Sequence, residues 1–550
     1  MTYKRDQAYR ATTMAPNGMI TTPHYLASQA GMNVLQNGGN AVEAAVAAAS
    51  TIAVVYPHMN SIGGDNFWLI YNAKTKEVKA LNSSGRSGEN AMISLYEERG
   101  LGTIPARGYL SANTVPGAVA GWDQAYRYSS EALSSTFSWK ELLQSSILYA
   151  KEGFGVTPSQ EYWTKVNLNE KDRDFRNLQR FPEFSRTFLK EDGSLYKKGD
   201  RMKQLDLART LEIIAEQGSK AFYEGEIASQ IVADLQANGG LLTLNDFKHH
   251  RSSWVDPLSV DYRGYTAYNL PPNTQGMASL SILNILNNFD ISSIEEGSSE
   301  YYHLLIEATK LAFADRDHWL TDPDFSHIPL EDLLSKSHGM ELANQINKQF
   351  SKAMEKKLDP KGDTVWFGVV DKEGNAVSFI QSIYHDFGSG IIPKNTGVLL
   401  QNRGSFFSLD RNHVNCLEPN KRTFHTLNPA MLLKEDAPHL VYGTMGGEGQ
   451  PQTQAALVTR IIDYKFDVQA AIEAPRWLYG RTWGAGSNNV KIESRVSKEA
   501  IASLEKGGHD VEVVDEFTDI MGHAGAILIN NNNVKLGGSD PRGDGSALGY

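Results

Sequence analysis

The chain has 550 residues, which is too long for a single ordinary hydrophobic core, because such cores stop growing at about 250–300 residues. Its 41% hydrophobic and 21% charged residues are typical of a globular protein, and they exclude collagen, coiled coil and long disorder. The net charge of −11, without a basic stripe, argues against a nucleic-acid partner.

The N-terminal region and the cysteine content indicate the compartment. Residues 1–10 lack the apolar core of a secretory signal. The most apolar stretch, residues 40–55, is shorter than the roughly 20 residues that span a membrane. The single cysteine, Cys416, can form neither an internal disulfide nor a four-cysteine zinc site. We therefore expect a cytoplasmic protein without a membrane partner.

Two consecutive helices are predicted at the start of the chain. Pro23 is expected to open the first helix, at the N1 position that favours proline, and Gly38-Gly39 to end it. Asn40 is expected to cap the second helix, which is rich in small apolar residues. A glycine turn then leads into an apolar strand at residues 67–71.

The middle of the chain, residues 130–350, is predicted to be mostly helical, and residues 301–319 show the clearest helical spacing of apolar side chains. Residues 338–363 are rich in lysine and end in turn-forming residues, so we interpret them as a loop.

The C-terminal third is predicted to be richer in strand. Residues 365–371 and 376–382 are expected to form a hairpin around the turn Lys372-Glu373-Gly374-Asn375. Further strands are expected at residues 397–401, 430–434, 440–443 and 526–530.

Thr364 lies where the predicted loop enters the first strand of this hairpin. If the bond between Asp363 and Thr364 is cut, Thr364 gains a free α-amine with an ordinary pKa of about 7.7–8.0. This amine can accept the proton of the threonine hydroxyl, directly or through a water, so that one residue supplies both nucleophile and base. The alternative is a threonine that only begins a strand.

Several motifs follow one another along the chain in the order of a known family. They occupy residues 26–31, 38–47, 61–64, 271–276, 364–391, 419–422, 443–447, 474–476 and 539–542. In sequence and order they resemble the γ-glutamyltransferase family of N-terminal-nucleophile hydrolases, whose members cut themselves before a nucleophilic threonine. The resemblance covers nearly the whole chain.

The resemblance implies an α+β fold, the four-layer αββα sandwich of N-terminal-nucleophile hydrolases. It also implies a precursor that is cut between Asp363 and Thr364. The mature protein would then be a heterodimer of a large subunit, residues 1–363, and a small subunit, residues 364–550, which form one fold together. A generic α/β protein that is never cut is the alternative.

The family motifs also imply roles for individual residues. Thr364 would attack the substrate, and Ser382 on the next strand would support it. Gly446 and Gly447 would supply the backbone N–H groups of an oxyanion hole, where side chains would obstruct the approach. Arg86 corresponds to the arginine that binds the substrate carboxylate, a role that suits a bidentate guanidinium. Neither a metal nor an organic cofactor is expected.

One pocket departs from the family pattern, namely the one that binds the α-amine of a γ-glutamyl group. The family glutamine corresponds to Arg403, the acidic residue to Phe406, the asparagine to Tyr384, and the serine pair to His425-Thr426. The pocket has therefore lost a negative charge and gained a positive one, which disfavours an ammonium. The changed motif resembles the acylase-like branch of the family, which includes cephalosporin acylases, oxamate amidohydrolase and bacillus-type γ-glutamyltransferase-like proteins.

The sequence thus predicts an autoprocessing amidohydrolase that cleaves an amide of a carboxylate-bearing acyl group through an acyl-enzyme. Arg86 and Arg403 would hold the carboxylate, and the partners would be a small-molecule amide and the protein's own two chains. One alternative is a γ-glutamyltransferase or glutathione hydrolase that uses Glu448 in place of the lost acid. The other is an inactive family member with a structural or binding role.

Overall fold

The computed structural model describes residues 9–172, 174–346, 363–480 and 489–550. The strands are β1 Thr13–Ala15, β2 Met19–Thr22, β3 Asp65–Asn72, β4 Glu77–Ser83, β5 Phe154–Gly155, β6 Arg201–Met202, β7 Ser253–Val255, β8 Leu258–Tyr262, β9 Tyr265–Asn269, β10 Asp363–Val370, β11 Ala376–Tyr384, β12 Ala430–Lys434, β13 Ala437–Thr444, β14 Trp477–Tyr479, β15 Val490–Glu493, β16 Val511–Val514, β17 Ala524–Ile529, β18 Lys535–Ser539 and β19 Ser546–Gly549.

The α-helices are α1 Tyr25–Gln36, α2 Ala41–Val55, α3 Ile93–Glu98, α4 Ala118–Ala132, α5 Trp139–Leu142, α6 Gln144–Glu152, α7 Pro158–Val166, α8 Pro182–Phe188, α9 Leu205–Gln217, α10 Lys220–Tyr223, α11 Glu226–Ala237, α12 Leu244–His249, α13 Gly276–Leu286, α14 Ser299–Trp319, α15 Leu330–Leu333, α16 Lys336–Asn344, α17 Gln450–Val458, α18 Val468–Glu473 and α19 Lys498–Lys506. Short 3-10 helices include Arg403–Phe406 and Gly447–Gly449, and a π-helical turn covers Thr459–Asp463.

Two seven-stranded antiparallel sheets form the centre of the protein. The first has the order β1-β18-β17-β13-β12-β9-β8, and the second has the order β19-β2-β10-β11-β3-β4-β7. Their inner faces meet in an apolar layer that contains Phe67, Trp366 and Val441. In both sheets, strands that precede residue 363 lie beside strands that follow it.

Helices cover the outer face of each sheet. α1, α2 and α4 pack on the second sheet, and α13, α17 and α18 pack on the first. Every residue of α2 is buried, as expected for a helix made of small apolar residues that lies between other elements. The layers therefore follow the order α-β-β-α, and the predicted fold class is confirmed.

The first two helices confirm one predicted cap and contradict another. Asn40 caps α2 and forms a capping box with Glu43, as predicted. The prediction that Pro23 opens α1 was wrong, because His24 is the N-cap and its Nδ1 accepts from the N–H of Leu26 at 3.2 Å. Pro23 therefore lies one residue outside the helix.

The hairpin is confirmed as β10 and β11, whereas two other predictions were wrong. The segment predicted as a loop contains α16, which packs so closely on α13 that a Cβ at Gly339 would lie 2.8 Å from the Asn284 side chain. Residues 347–362 of that segment lie outside the described residues. The strand expected at residues 397–401 is an irregular segment that forms a single parallel bridge between Leu400 and Gly63.

The middle of the chain is mostly helical, as predicted, although β5 to β9 also lie there. Across the described ranges, none of the helices combines the length and the apolar character needed to cross a membrane.

Candidate active site

Thr364 lies in the first residues of β10, at an irregularity of the sheet. Asp363 pairs with Tyr384 and Val365 pairs with Gln381, so the register shifts at Thr364. Ser382 lies on the neighbouring strand, and its Oγ accepts a hydrogen bond from the Tyr384 N–H at 2.8 Å. The structure thus places the two predicted hydroxyl residues on adjacent strands.

The packing of the two sheets brings the glycine pair to the same end of the sandwich as Thr364. A Cβ at Gly368 would lie 3.2 Å from Val441, and a Cβ at Gly443 would lie 2.3 Å from Nε1 of Trp366. The step from Gly368 to Trp366, toward Thr364 on β10, therefore runs beside the step from Val441 to Gly443, toward the C-terminal end of β13. The loop that holds Gly446 and Gly447 follows directly after that end.

Two backbone carbonyls of this loop are fixed by hydrogen bonds. The carbonyl of Met445 accepts from Oγ1 of Thr444 at 2.7 Å, and the carbonyl of Gly446 accepts from the Gly449 N–H at 2.8 Å. Since the C=O and N–H of a trans peptide point in opposite directions, the N–H groups of Gly446 and Gly447 face the other way. Within the described ranges neither of these N–H groups donates to a protein acceptor. Both glycines have positive φ, +124° and +52°, which other residues rarely adopt.

Arg403 is buried beside this loop with part of its hydrogen-bonding capacity unused. Its guanidinium carbon lies 4.1 Å from the centre of the Tyr384 ring, and its Nη1 donates to Oγ1 of Thr426 at 3.4 Å. Its Nε and Nη2 have no hydrogen-bond partner among the residues that the structure describes. Burial lowers the pKa of Arg403 to about 10, so the side chain is still positively charged at neutral pH. A buried charge with two unused donors suits an anionic ligand.

Asp65 and His425 lie close to Arg403. The Oδ1 of Asp65 accepts from the N–H groups of Gly85 and Gly117, both at 3.0 Å, and its Oδ2 lies 3.4 Å from Nε2 of His425. Burial raises the pKa of Asp65 to about 6, although its hydrogen bonds and Arg403 act in the opposite direction. Burial and Arg403 hold the pKa of His425 well below its ordinary value, so the imidazole is neutral.

Asp65 is a residue that sequence reasoning missed, although it follows the Gly63-Gly64 pair of a family motif. It pairs with Ser382 across β3 and β11. The reason for a glycine before it is steric, since a Cβ at Gly64 would lie 2.2 Å from the carbonyl oxygen of Ser382. The sequence analysis recognised the glycine pair as part of a family motif, but it did not consider the adjacent Asp65 as a functional residue.

Arg86 follows Gly85, whose N–H donates to Asp65, and its guanidinium is already paired. Its Nη1 lies 2.8 Å from Oδ2 of Asp322, and its Nη2 forms an ion pair with Asp324. Together with His250 and Arg422 it lines a cavity of about 260 Å³. Its role in carboxylate binding stays a prediction, and these ion pairs would have to be exchanged before a substrate could bind.

One group of side chains in the described part of the chain has the composition of a metal site. Ligand atoms of His303, Glu307 and His509 lie within 4.8 Å of one another, in the helical layer around α14. However, Nζ of Lys310 lies 2.8 Å from Oε1 of Glu307 and neutralises this carboxylate. We interpret the group as a buried polar cluster.

Comparisons with known proteins agree with this architecture. Residues 27–550 match the family model described as Gamma-glutamyltranspeptidase. The chain is 48% identical to the glutathione hydrolase-like YwrD proenzyme of Bacillus subtilis, over 96% of this chain and 98% of the relative. It is 43% identical to the oxamate amidohydrolase proenzyme of Klebsiella pneumoniae, over 98% and 100%. The crystal structure of cephalosporin acylase from Bacillus halodurans superposes with a TM-score of 0.89 and 35% identity, over 100% of this chain and 98% of that one. The chain therefore belongs to the γ-glutamyltranspeptidase family of N-terminal-nucleophile hydrolases.

Proposed function

We propose that the protein is an autoprocessing amidohydrolase that acts on an amide whose acyl group carries a second carboxylate and lacks an α-amine. The mature enzyme would consist of residues 1–363 and 364–550. No metal or organic cofactor is needed for this chemistry. The lone Cys416, which has no partner for an internal disulfide, supports a cytoplasmic location, which we propose as well.

In the proposed reaction, Oγ1 of Thr364 attacks the amide carbonyl carbon while its proton moves to the Thr364 α-amine. The N–H groups of Gly446 and Gly447 stabilise the resulting oxyanion. The carbon–nitrogen bond then breaks, and the leaving amine takes the proton. Water attacks the ester, the α-amine accepts a proton from this water, and Oγ1 is protonated again as the acid leaves.

The observation that carries the choice of acyl group is Arg403. Its buried guanidinium has two donor nitrogens without a partner in the described chain, so a carboxylate would supply the missing acceptors. The adjacent Tyr384 and Phe406, whose rings lie 5.5 Å apart, supply an apolar wall for a short carbon chain. Arg403 is the primary candidate for the carboxylate ligand, and His425 and Thr426 complete the pocket.

The same charge argues against a γ-glutamyl group. At about 5 Å and an effective dielectric near 20, an ammonium and a guanidinium repel by roughly 3 kcal/mol. A cation–π contact with Tyr384 would return about 0.5–2 kcal/mol at most. The relative named for oxamate, the monoamide of oxalic acid, supports a dicarboxylic monoamide as the substrate class.

The burial of the site supports cleavage as the step that opens it. The exposed fractions of Thr364, Ser382, Tyr384 and Arg403 are all 0–1% in the uncut chain. A substrate that contacts these groups therefore needs a rearrangement, which cutting the bond before Thr364 would permit.

Self-cleavage is tested by a denaturing gel of Thr364→Ala beside the unchanged protein. We expect the unchanged protein to give bands of about 40 and 20 kDa, and the variant to give one full-length band and no hydrolysis. Thr364→Ser keeps a hydroxyl and should still be cut, though more slowly. Two bands from Thr364→Ala would contradict the assignment of the nucleophile.

The substrate class is tested by comparing kcat/KM for glutaryl- and γ-glutamyl-p-nitroanilide with the processed protein. The net repulsion, about 1–2.5 kcal/mol after the cation–π contact is subtracted, corresponds to a roughly five- to sixtyfold preference for the glutaryl compound, at about 1.4 kcal/mol per decade. A better γ-glutamyl substrate would favour a γ-glutamyltransferase or glutathione hydrolase instead. Release of ammonia from oxamate, measured in parallel, would extend the class to the shortest dicarboxylic monoamide.

A further inference from the structure

Gln275 connects two parts of the candidate active site from a distant segment of the chain. Its side chain is completely buried, directly before α13. Its Nε2 donates to the carbonyl of Thr426 at 2.7 Å and to the carbonyl of Gly447 at 2.9 Å. Its Oε1 accepts from Nη1 of Arg316 at 3.1 Å. Both polar atoms of this amide are therefore engaged.

Arg316 fixes which way the amide of Gln275 points. An arginine only donates hydrogen bonds, so the atom that faces it has to be the amide oxygen. The NH₂ group then faces the two carbonyls. Arg316 is itself held on α14, where its Nε donates to Asp317 at 2.8 Å and its guanidinium lies 3.8 Å from the centre of the Phe313 ring. Its Nη2 also lies 3.5 Å from Oε1 of Glu448, the next residue of the glycine loop.

The carbonyl of Gly447 is the third in succession along the loop. Those of Met445 and Gly446 are held by groups of the loop and of the strand that precedes it. The carbonyl of Gly447 accepts from the Gln450 N–H and, across the site, from Gln275. The peptide that follows Gly447 is therefore held by Gln450 within the loop and by Gln275 from outside it, and the outside donor ties the flexible glycine pair to the rest of the site.

We propose that Gln275 is a positioning residue that keeps the Gly446-Gly447 loop in the orientation that its N–H groups need to bind an oxyanion, and that Arg316 fixes the amide of Gln275. The inference rests on the proposed function, because it assigns these N–H groups to the oxyanion. Gln275 itself does not touch the reacting atoms.

The first test is the variant Gln275→Met, which keeps the length of the side chain and removes both donors. Deleting an oxyanion donor lowers kcat by about a hundred- to a thousandfold, and a donor that is only misoriented should lose less. We expect kcat on glutaryl-p-nitroanilide to fall about ten- to a hundredfold. KM should change less than kcat, because Arg403 keeps its place on Tyr384, although Gln275 also holds the carbonyl of Thr426.

Asn284→Leu is the matched control. Asn284 is also a buried amide on α13, and its Nδ2 donates to the carbonyls of Leu334 and Ser335 at 3.2 and 2.8 Å. Its loss removes the same kind of hydrogen bonds away from the glycine loop. We expect a similar fall in thermal midpoint with an unchanged kcat. A Gln275→Met variant that behaves like this control would overturn the inference.

Gln275→Glu gives a second readout if the methionine variant does not fold. The carboxylate keeps its contact with Arg316, but at pH 8 its second oxygen faces the carbonyls of Thr426 and Gly447 and cannot donate to them, so the thermal midpoint should fall moderately while Arg316 stays paired. We expect the same loss of kcat, and a normal kcat would overturn the inference.

The failure of this inference can be distinguished from the failure of the proposed function. If Thr364→Ala retains activity, the proposed function is wrong. If only Thr364→Ala is inactive and both Gln275 variants are normal, the proposed function stands and this inference falls.

Discussion

Two groups of buried arginines differ in how fully they are paired. Arg403 has two donor nitrogens without a partner in the described chain. At the other site, Arg476 and Arg542 share the carboxylate of Asp540, with distances of 2.6 and 3.0 Å, and Arg542 also lies 2.7 Å from Glu493.

The paired group explains two of the family motifs, residues 474–476 and 539–542. It joins the end of β18 to the segment after α18, and Asp540 also accepts from the N–H of Ala524 at 2.6 Å. Burial raises the pKa of Asp540, but Arg476 and Arg542 lower it further, so the carboxyl is ionised well below its ordinary range. Every guanidinium nitrogen of Arg542, and both Nη atoms of Arg476, donate to carboxylates or carbonyls, so we assign this group the role of holding the fold.

The comparison teaches that burial of an arginine does not itself indicate a binding site. Removing one partner from a fully paired buried ion group leaves an uncompensated charge in the interior. Removing an incompletely paired arginine takes such a charge away. Substitution in the Asp540 group should therefore lower the stability of the protein, whereas substitution of Arg403 should lower its activity.

The largest effect is expected for Asp540→Asn. The variant leaves Arg476 and Arg542 without a counter-charge, and breaking a buried pair of this kind costs about 3–5 kcal/mol. The measurement is the urea dependence of unfolding, made in the uncut Thr364→Ala background so that a single chain unfolds. A loss below about 1 kcal/mol would show that the group is not essential to the fold.

Arg403→Met should have a smaller effect, and on activity. Losing a charge-assisted hydrogen bond costs about 1.5–3 kcal/mol, so we expect kcat/KM for glutaryl-p-nitroanilide to fall about ten- to a hundredfold. The free energy of unfolding should be unchanged or higher, because an incompletely paired buried charge is removed. If Arg403→Met instead lowers stability as much as Asp540→Asn and leaves kcat/KM unchanged, the distinction between the two sites is lost.

Arg86→Ala should have the smallest effect. The side chain of Arg86 is 31% exposed, whereas its partner Asp322 is buried and keeps the N–H of Arg422 as a donor, so we expect a loss of stability smaller than that of Asp540→Asn. KM for the glutaryl compound should rise less than in Arg403→Met. A rise in KM larger than that of Arg403→Met would support the sequence-based assignment of the carboxylate to Arg86.

The sequence predicted the fold better than the site. The αββα sandwich followed from the family motifs, and the hairpin of β10 and β11 from its turn and alternating residues. α16 was missed because the loop was inferred from lysines and turn-forming residues that lie beyond it, whereas Lys336–Asn344 contains a single lysine, is capped by Ser335 and packs on α13. The start of α1 was misplaced because the side chain of His24 caps the helix, whereas the prediction relied on the preference of proline for the first helical position.

At the site, the sequence pointed to residues that depart from the family pattern, such as Arg403. It did not reveal Gln275, because the partners of this residue, Thr426 and Gly447, lie 151 and 172 positions away. It also gave no means to see that Arg86 is paired with Asp322. Such roles depend on contacts between segments that only the folded chain brings together.

The interleaving of strands from both sides of residue 363 has a kinetic consequence. While the chain is intact, its two parts are held at a high effective concentration, of the order of millimolar for short linkers. After the proposed cut, refolding would become a bimolecular reaction in which each part has to supply strands to both sheets. A mature molecule that unfolds would then rarely reassemble at cellular dilution. The lifetime of the enzyme would be governed by its rate of unfolding, because unfolding after self-cleavage would be effectively irreversible.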